Sequence, residues 1–167
     1  MKINRHINKV AVIGSGIMGS RIACHFANIG VEVLLLDIIP FDLTEEQKQD
    51  KAIRNSIVND ALKSTLKSKP SPIYSKDFVS RITTGNLDDD LHKIADANWI
   101  IEVVVERLDI KKQVFEKIEK FRKEGTLISS NTSGIPIESM IDGRSDDFKA
   151  HFCGTHFFNP PRYLKLL

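Results

Sequence analysis

Cysteine is scarce in this 167-residue chain. The two present, Cys24 and Cys153, are far apart and have no C-x-x-C spacing. That excludes a disulfide framework and a thiolate metal centre, and it fits a reducing cytoplasm. Both are expected to be small core residues. No apolar run approaches the roughly 20 residues of a membrane-spanning helix, and the opening Met1–His6 lacks the apolar stretch of a secretory leader. Charge of one sign is also missing. With 24 Lys and Arg against 22 Asp and Glu, the net charge is +2, which gives no footprint for nucleic acid or an anionic membrane surface. Internal repeats, low-complexity segments and His/Cys clusters at metal-ligand spacing are absent from the sequence as well, so no metal is expected.

What is present has the pattern of a soluble α/β domain. Hydrophobic residues make up 41% and charged residues 28%, enough apolar material for one domain with a real core. Lys9-Val10-Ala11-Val12-Ile13-Gly14 reads as a buried parallel strand. A helical pattern follows at Met18, Ile22, Phe26 and Ile29, closed by Gly30. Val31 to Asp37 reads as the second strand, completing a βαβ unit.

Residues 41 to 72 form a basic amphipathic arm. Its apolar positions include Leu43, Ile53, Ile57, Leu62 and Leu66, with Lys48, Lys51, Arg54, Lys63 and Lys67 between them, and Lys69-Pro70-Ser71-Pro72 ends it. Strands are then expected at 81–85, 99–105, 126–130 and 152–158. Helices are expected from Asp109, as N-cap, to Phe121 and near Ile137 to Ile141. The alternation predicts a Rossmann-type, doubly wound, mainly parallel sheet with a helical arm inserted after the second strand.

Gly14-Ser15-Gly16-Ile17-Met18-Gly19 is a G-x-G-x-x-G placed between a strand and a helix. The first glycine permits the tight turn, the second lets a pyrophosphate approach the backbone, and the third lets helix and strand pack closely. Asp37 ends the second strand, where a carboxylate accepts hydrogen bonds from an adenosine ribose. Ile38 and Ile39 follow, with no arginine to meet a 2′-phosphate, so NAD is favoured over NADP.

Near the far end lies Thr155-His156-Phe157-Phe158-Asn159-Pro160-Pro161. A histidine and an asparagine held by aromatics and prolines suit a proton-accepting base beside a polar anchor. The turn Asn131-Thr132-Ser133 follows the 126–130 strand. It reads either as an anchor for a substrate oxygen or as a strand-end turn capping the next helix. His6, His25, His92 and His151 need no function, and Trp99 is expected in the core. Glu102 stands in an apolar strand and needs an unidentified partner if buried.

These segments resemble the NAD-binding domain of the L-3-hydroxyacyl-CoA dehydrogenases of fatty-acid β-oxidation. The resemblance rests on Val12–Gly19, Glu102-Val103-Val104-Val105-Glu106, Ser130–Ser133 and His156–Pro160. Ile82–Leu87 and Pro160–Leu167 look closest to the large bacterial members that carry an enoyl-CoA hydratase-like domain. The resemblance implies His156 as general base, Ser133 bonding the substrate oxygen, and Asn159 near the nicotinamide and the acyl-CoA carbonyls. Gly14, Gly16, Ile17, Met18, Gly19 and Asp37 would hold the cofactor, with Glu106 and Lys111 lining its site; an exposed Glu106–Lys111 pair at a helix start is the alternative. It further implies an acyl-CoA substrate, with the arm's lysines either meeting coenzyme A or simply solvated.

The resemblance also implies a helical C-terminal domain that forms a homodimer. The chain stops inside the alternating run Tyr163–Leu167, so it is expected to be part of a longer protein. The family's histidine is oriented by a glutamate twelve positions later, which here falls at position 168. The 167-residue chain alone is therefore expected to bind NAD with little or no turnover. Two other classes compete. Other β-hydroxyacid dehydrogenases use a lysine base in a later domain and lack the His-Phe-Phe-Asn-Pro segment. A non-catalytic NAD-binding module needs only the front half of the chain.

Overall fold

The computed structural model describes residues 6–164. Met1–Arg5 and Lys165–Leu167, which include parts of both terminal segments discussed above, lie outside them. Six strands form one all-parallel sheet in the order β3-β2-β1-β4-β5-β6. In chain order they are β1 (Lys9–Ile13), β2 (Glu32–Asp37), β3 (Ile82–Asn86), β4 (Trp99–Glu102), β5 (Leu127–Ser130) and β6 (Phe152–Gly154). The helices are α1 (Ile17–Asn28), α2 (Lys51–Arg54), α3 (Ser56–Lys67), α4 (Leu108–Phe121), α5 (Ile137–Ile141) and α6 (Asp146–Ala150).

Side-chain alternation along β1 sorts the core into two layers. Val10 and Val12 face a cluster with Ile22, Phe26, Val58 and Leu62, which binds α1 and α3 to one side of the sheet. Ala11 and Ile13 face Val114, Phe115, Ile118, Met140 and Phe148, which bind α4, α5 and α6 to the other. The strand order reverses between β1 and β4. A crevice therefore opens beyond their C-terminal ends, where ligands of doubly wound sheets bind.

Several boundaries differ from the expectation. The 99–105 strand stops at Glu102, because Glu102 Oε1 takes the Val104 N–H at 2.7 Å and turns the chain away from the ladder. The 152–158 strand pairs only through Gly154; beyond Thr155 the Asn131 side chain takes the Phe157 N–H at 2.8 Å. Asp109 is not the N-cap of α4: Arg107 is, without a side-chain bond, and Asp109 lies in the first turn. The arm is two helices that meet at Asn55, and Asp50 caps α2.

Helix α6 and the 3-10 segments Lys76–Arg81 and Leu91–Asp96 were not anticipated. His151 is the C-cap of α6. Cys24 is buried as expected, but Cys153 is exposed, so its core assignment is corrected. Trp99 is half-buried, edge-on to Phe26, with its indole N–H on Ser129 Oγ at 2.9 Å.

Candidate functional site

The turn from β1 into α1 is built by its glycines. Gly14 has φ +102°, and a Cβ there would collide with the Val103 carbonyl oxygen, so only glycine fits. A Cβ on Gly19 would overlap the Gly14 carbonyl, which brings α1 hard against the strand end. Gly16 is different: a Cβ there would meet no atom within 4 Å. The fold does not need glycine at that position, whereas a ligand pressed against the backbone would. Gly16 is also the N-cap of α1 and makes no side-chain cap. The first N–H groups of the helix, at Ile17, Met18 and Gly19, thus lack intrahelical acceptors and suit a phosphate.

Asp37 closes this loop. Its Oδ2 accepts the Ser15 N–H at 2.6 Å and the Ser15 hydroxyl at 2.5 Å, and its Oδ1 accepts the Ile38 N–H at 2.7 Å. The carboxylate therefore holds the glycine turn while its free lone pairs remain available to a ribose. A cleft of about 270 Å³ is lined by Gly16, Asp37, Leu87, Val104 and Ile110. Its walls are apolar and it takes the size and polarity of an adenosine end. A groove of about 480 Å³ at Lys9, Glu32 and Arg81 lies at the N-terminal ends of the strands, away from this crevice.

Beyond β4 and β5 a second constellation is assembled. Glu106 Oε1 accepts from the Thr132 hydroxyl at 2.5 Å, the Ser133 N–H at 3.0 Å and the Gly134 N–H at 3.2 Å. Lys111 Nζ stands 3.3 Å from Oε2. Partial burial pushes the Glu106 carboxyl up, but these three hydrogen bonds and the Lys111 charge outweigh it and hold the group at about 2. The Thr132 carbonyl oxygen lies 3.1 Å from His156 Nδ1. A carbonyl can only accept, so in the neutral ring Nδ1 carries the proton and Nε2 keeps the lone pair. His156 is exposed, packs edge-on to Phe158, and lines a hollow of about 700 Å³ with Ser133, Ile135 and Thr155.

His156, Ser133 and Glu106 are thus gathered around one turn. Ser133 does not cap α5, whose N-cap Pro136 makes no side-chain bond; the turn is pinned by Glu106 instead. Asn159 stands apart from His156 in its bonding, its Oδ1 accepting from Arg21 of α1 at 2.5 Å. Lys111 has no exposed surface. The expectation that it lines the cofactor site is corrected to an indirect contact through Glu106, and its reading as an exposed helix-start residue is excluded. It is also the unidentified partner of Glu102, at 2.8 and 2.9 Å.

Sequence reasoning missed Ser15, Thr132 as the carrier of the His156 contact, and Arg21. Ser15 and Thr132 stood inside segments already singled out; nothing in the pattern marked Arg21. In the arm, Arg54 is committed to Asp89 at 2.7 Å and Lys48 to Glu45 at 2.6 Å, while Lys63 and Lys67 are exposed. Among the described residues no helix is long and apolar enough to cross a membrane.

Residues 9–167 match the family model described as 3-hydroxyacyl-CoA dehydrogenase, NAD binding domain. The chain is 56% identical to a "Probable 3-hydroxyacyl-CoA dehydrogenase" of Bacillus subtilis, across 99% of this chain and 22% of that protein. It is 33% identical to the mitochondrial hydroxyacyl-coenzyme A dehydrogenase of Sus scrofa, across 96% of this chain and 49% of that one. Among solved structures, 3-hydroxybutyryl-CoA dehydrogenase of Escherichia coli K12 superposes with a TM-score of 0.65 at 29% identity. That match covers 93% of this chain and 30% of the other. The chain thus spans less than half the length of each of these proteins.

Proposed function

Because the chain belongs to the 3-hydroxyacyl-CoA dehydrogenase family, matching its NAD-binding domain over residues 9–167, we propose that it carries the cofactor site and the base for oxidising L-3-hydroxyacyl-CoA to 3-ketoacyl-CoA. NAD is the cofactor, and when bound it supplies the acceptor for the hydride that leaves C3. The glycine turn and the free N–H groups of α1 hold its pyrophosphate, and Asp37 takes the ribose hydroxyls. The observation that carries the reading is the state of His156. With Nδ1 engaged by the Thr132 carbonyl, Nε2 is free to take the 3-hydroxyl proton as the hydride departs, so proton and electron pair leave in opposite directions.

Ser133 is placed to hydrogen-bond the reacting oxygen from the same hollow. The amide of Asn159, its oxygen already taken by Arg21, has two N–H donors left for carbonyl oxygens of nicotinamide or substrate. Glu106 holds the turn that bears Ser133. A purely NAD-binding module has no use for this second constellation, and that favours the enzyme.

The coverage of 22% of the Bacillus subtilis relative supports the finer placement among the large bacterial enzymes. On the strength of the family resemblance, the same reading carries an acyl-CoA as the molecular partner, a homodimer formed through segments outside this chain, and a cytoplasmic location. Sedimentation of the full-length protein and cell fractionation test the last two. The reaction itself is tested by following NADH formation from 3-hydroxybutyryl-CoA with the full-length protein. Turnover of the L isomer with NAD, and far slower turnover of the D isomer or with NADP, is expected. Equal use of both isomers, or none of either, removes the reading.

A further inference from the structure

The segment that begins at His156 is seated on α1 at two points. Phe157 is buried and stands edge-on to His25 and Phe26, which fixes where the backbone lies. Two residues further on, Asn159 Oδ1 accepts from Arg21 Nη1 at 2.5 Å. Arg21 is one turn into α1 from Ile17, near the end of the helix that the glycine turn leads into. Among the described residues no other hydrogen bond holds the Asn159 side chain, and Arg21 pairs with no carboxylate. The contact is thus a lone bond between a fixed cation and a neutral amide.

What that bond decides is direction. An asparagine amide accepts on one side and donates on the other, and the two senses differ by a half-turn of χ2 with little intrinsic preference. A guanidinium has donors only and stays protonated. Facing Arg21, the amide must therefore turn its oxygen to α1 and leave both N–H donors on its other side. We propose that Arg21 is a positioning residue that sets the sense of the Asn159 amide, so that the segment offers donors, and no acceptor, to the carboxamide oxygen of the nicotinamide. This rests on the reading of Asn159 as a cofactor contact. Arg21 touches no reacting atom and acts through Asn159. Without it both senses are populated, and binding must select one and then hold it, which lowers affinity.

The competing account is that the Arg21 charge attracts the pyrophosphate directly, and it predicts the same loss whatever stands at position 159. NADH fluorescence titrations of the full-length protein separate the two in a double-mutant cycle of Arg21→Met and Asn159→Ala, with melting temperatures as the check on folding. Arg21→Met is expected to weaken NADH binding by about threefold to tenfold, and Arg21→Lys, which keeps the donors, by less. In the Asn159→Ala background Arg21→Met should change the affinity by less than about twofold. Wild-type affinity in Arg21→Met, a loss in Arg21→Lys as large as in Arg21→Met, or the same loss in both backgrounds overturns the proposal. In the last case a weakened Asn159→Ala still leaves Asn159 as a cofactor contact. Wild-type affinity in Asn159→Ala removes that contact, and the proposal with it.

Discussion

Lys111 Nζ lies 2.8 and 2.9 Å from the two carboxylate oxygens of Glu102, and neither side chain has any exposed surface. Breaking the pair from one side leaves an uncompensated charge in the core. Lys111→Met alone is therefore expected to lower stability by about 3–5 kcal/mol, read as a shift of the urea midpoint. A loss below about 1 kcal/mol means that water reaches Glu102 and the pair is not sealed as described.

Gly16 and Gly19 lie in one motif but are held to glycine by different things. A methyl on Gly19 overlaps the Gly14 carbonyl, so Gly19→Ala is expected to cost both stability and NADH binding. A methyl on Gly16 meets nothing in the protein, so Gly16→Ala should keep the wild-type melting temperature while NADH affinity falls about tenfold or more, since the pyrophosphate needs that space. Melting curves and NADH fluorescence titrations of the two variants separate the cases. Wild-type affinity in Gly16→Ala counts against a dinucleotide at this turn.

Asp37 both binds the Ser15 N–H and hydroxyl and faces the adenosine cleft. Its replacement by alanine removes the ribose acceptor and loosens the turn, and also removes the charge that repels a 2′-phosphate. NADH affinity is expected to drop by about tenfold or more, with a smaller loss for NADPH, so that the preference narrows. Equal losses for both cofactors in parallel titrations contradict the assigned ribose contact.

Glu106 sets an acid limit on the second constellation. Its carboxyl titrates at about 2 in the fold against an ordinary value of 4.5, so the folded state binds fewer protons than the unfolded one between those values. The stability it contributes is complete above pH 4.5 and is lost as pH falls towards 2. Asp89, held down by Arg54, and Asp147, held down by Arg122, also titrate below their usual range. The difference between wild type and Glu106→Gln isolates the Glu106 part. The two acid-unfolding curves should converge as pH falls through this window; a constant offset refutes the assignment.

Much of this was legible in the sequence because it depends on short-range pattern. The β-branched run before Gly14, the helical spacing to Gly30 and the acid at Asp37 define the βαβ unit, and the sheet is parallel and doubly wound as expected. What was not legible came from side chains capturing backbone at long range. Glu102 ends β4 by taking the Val104 N–H, and Asn131 ends the β6 ladder by taking the Phe157 N–H, although the sequence at both places continues as strand. From sequence Lys111 reads as a lysine lining the cofactor site or exposed at a helix start; its burial depends on Glu102, nine residues earlier at the end of β4. Arg21 meets Asn159 across 138 residues, a contact that no local pattern announces.

The central claim is that His156 is the base of a 3-hydroxyacyl-CoA dehydrogenase. It is tested most directly by NADH consumption on adding acetoacetyl-CoA to the full-length protein, wild type beside His156→Ala. The account predicts rapid NADH loss in the wild type and a rate lower by about a hundredfold or more in the variant, with NADH affinity unchanged. Undiminished turnover in His156→Ala, or tight NADH binding with no turnover in the wild type, would contradict it.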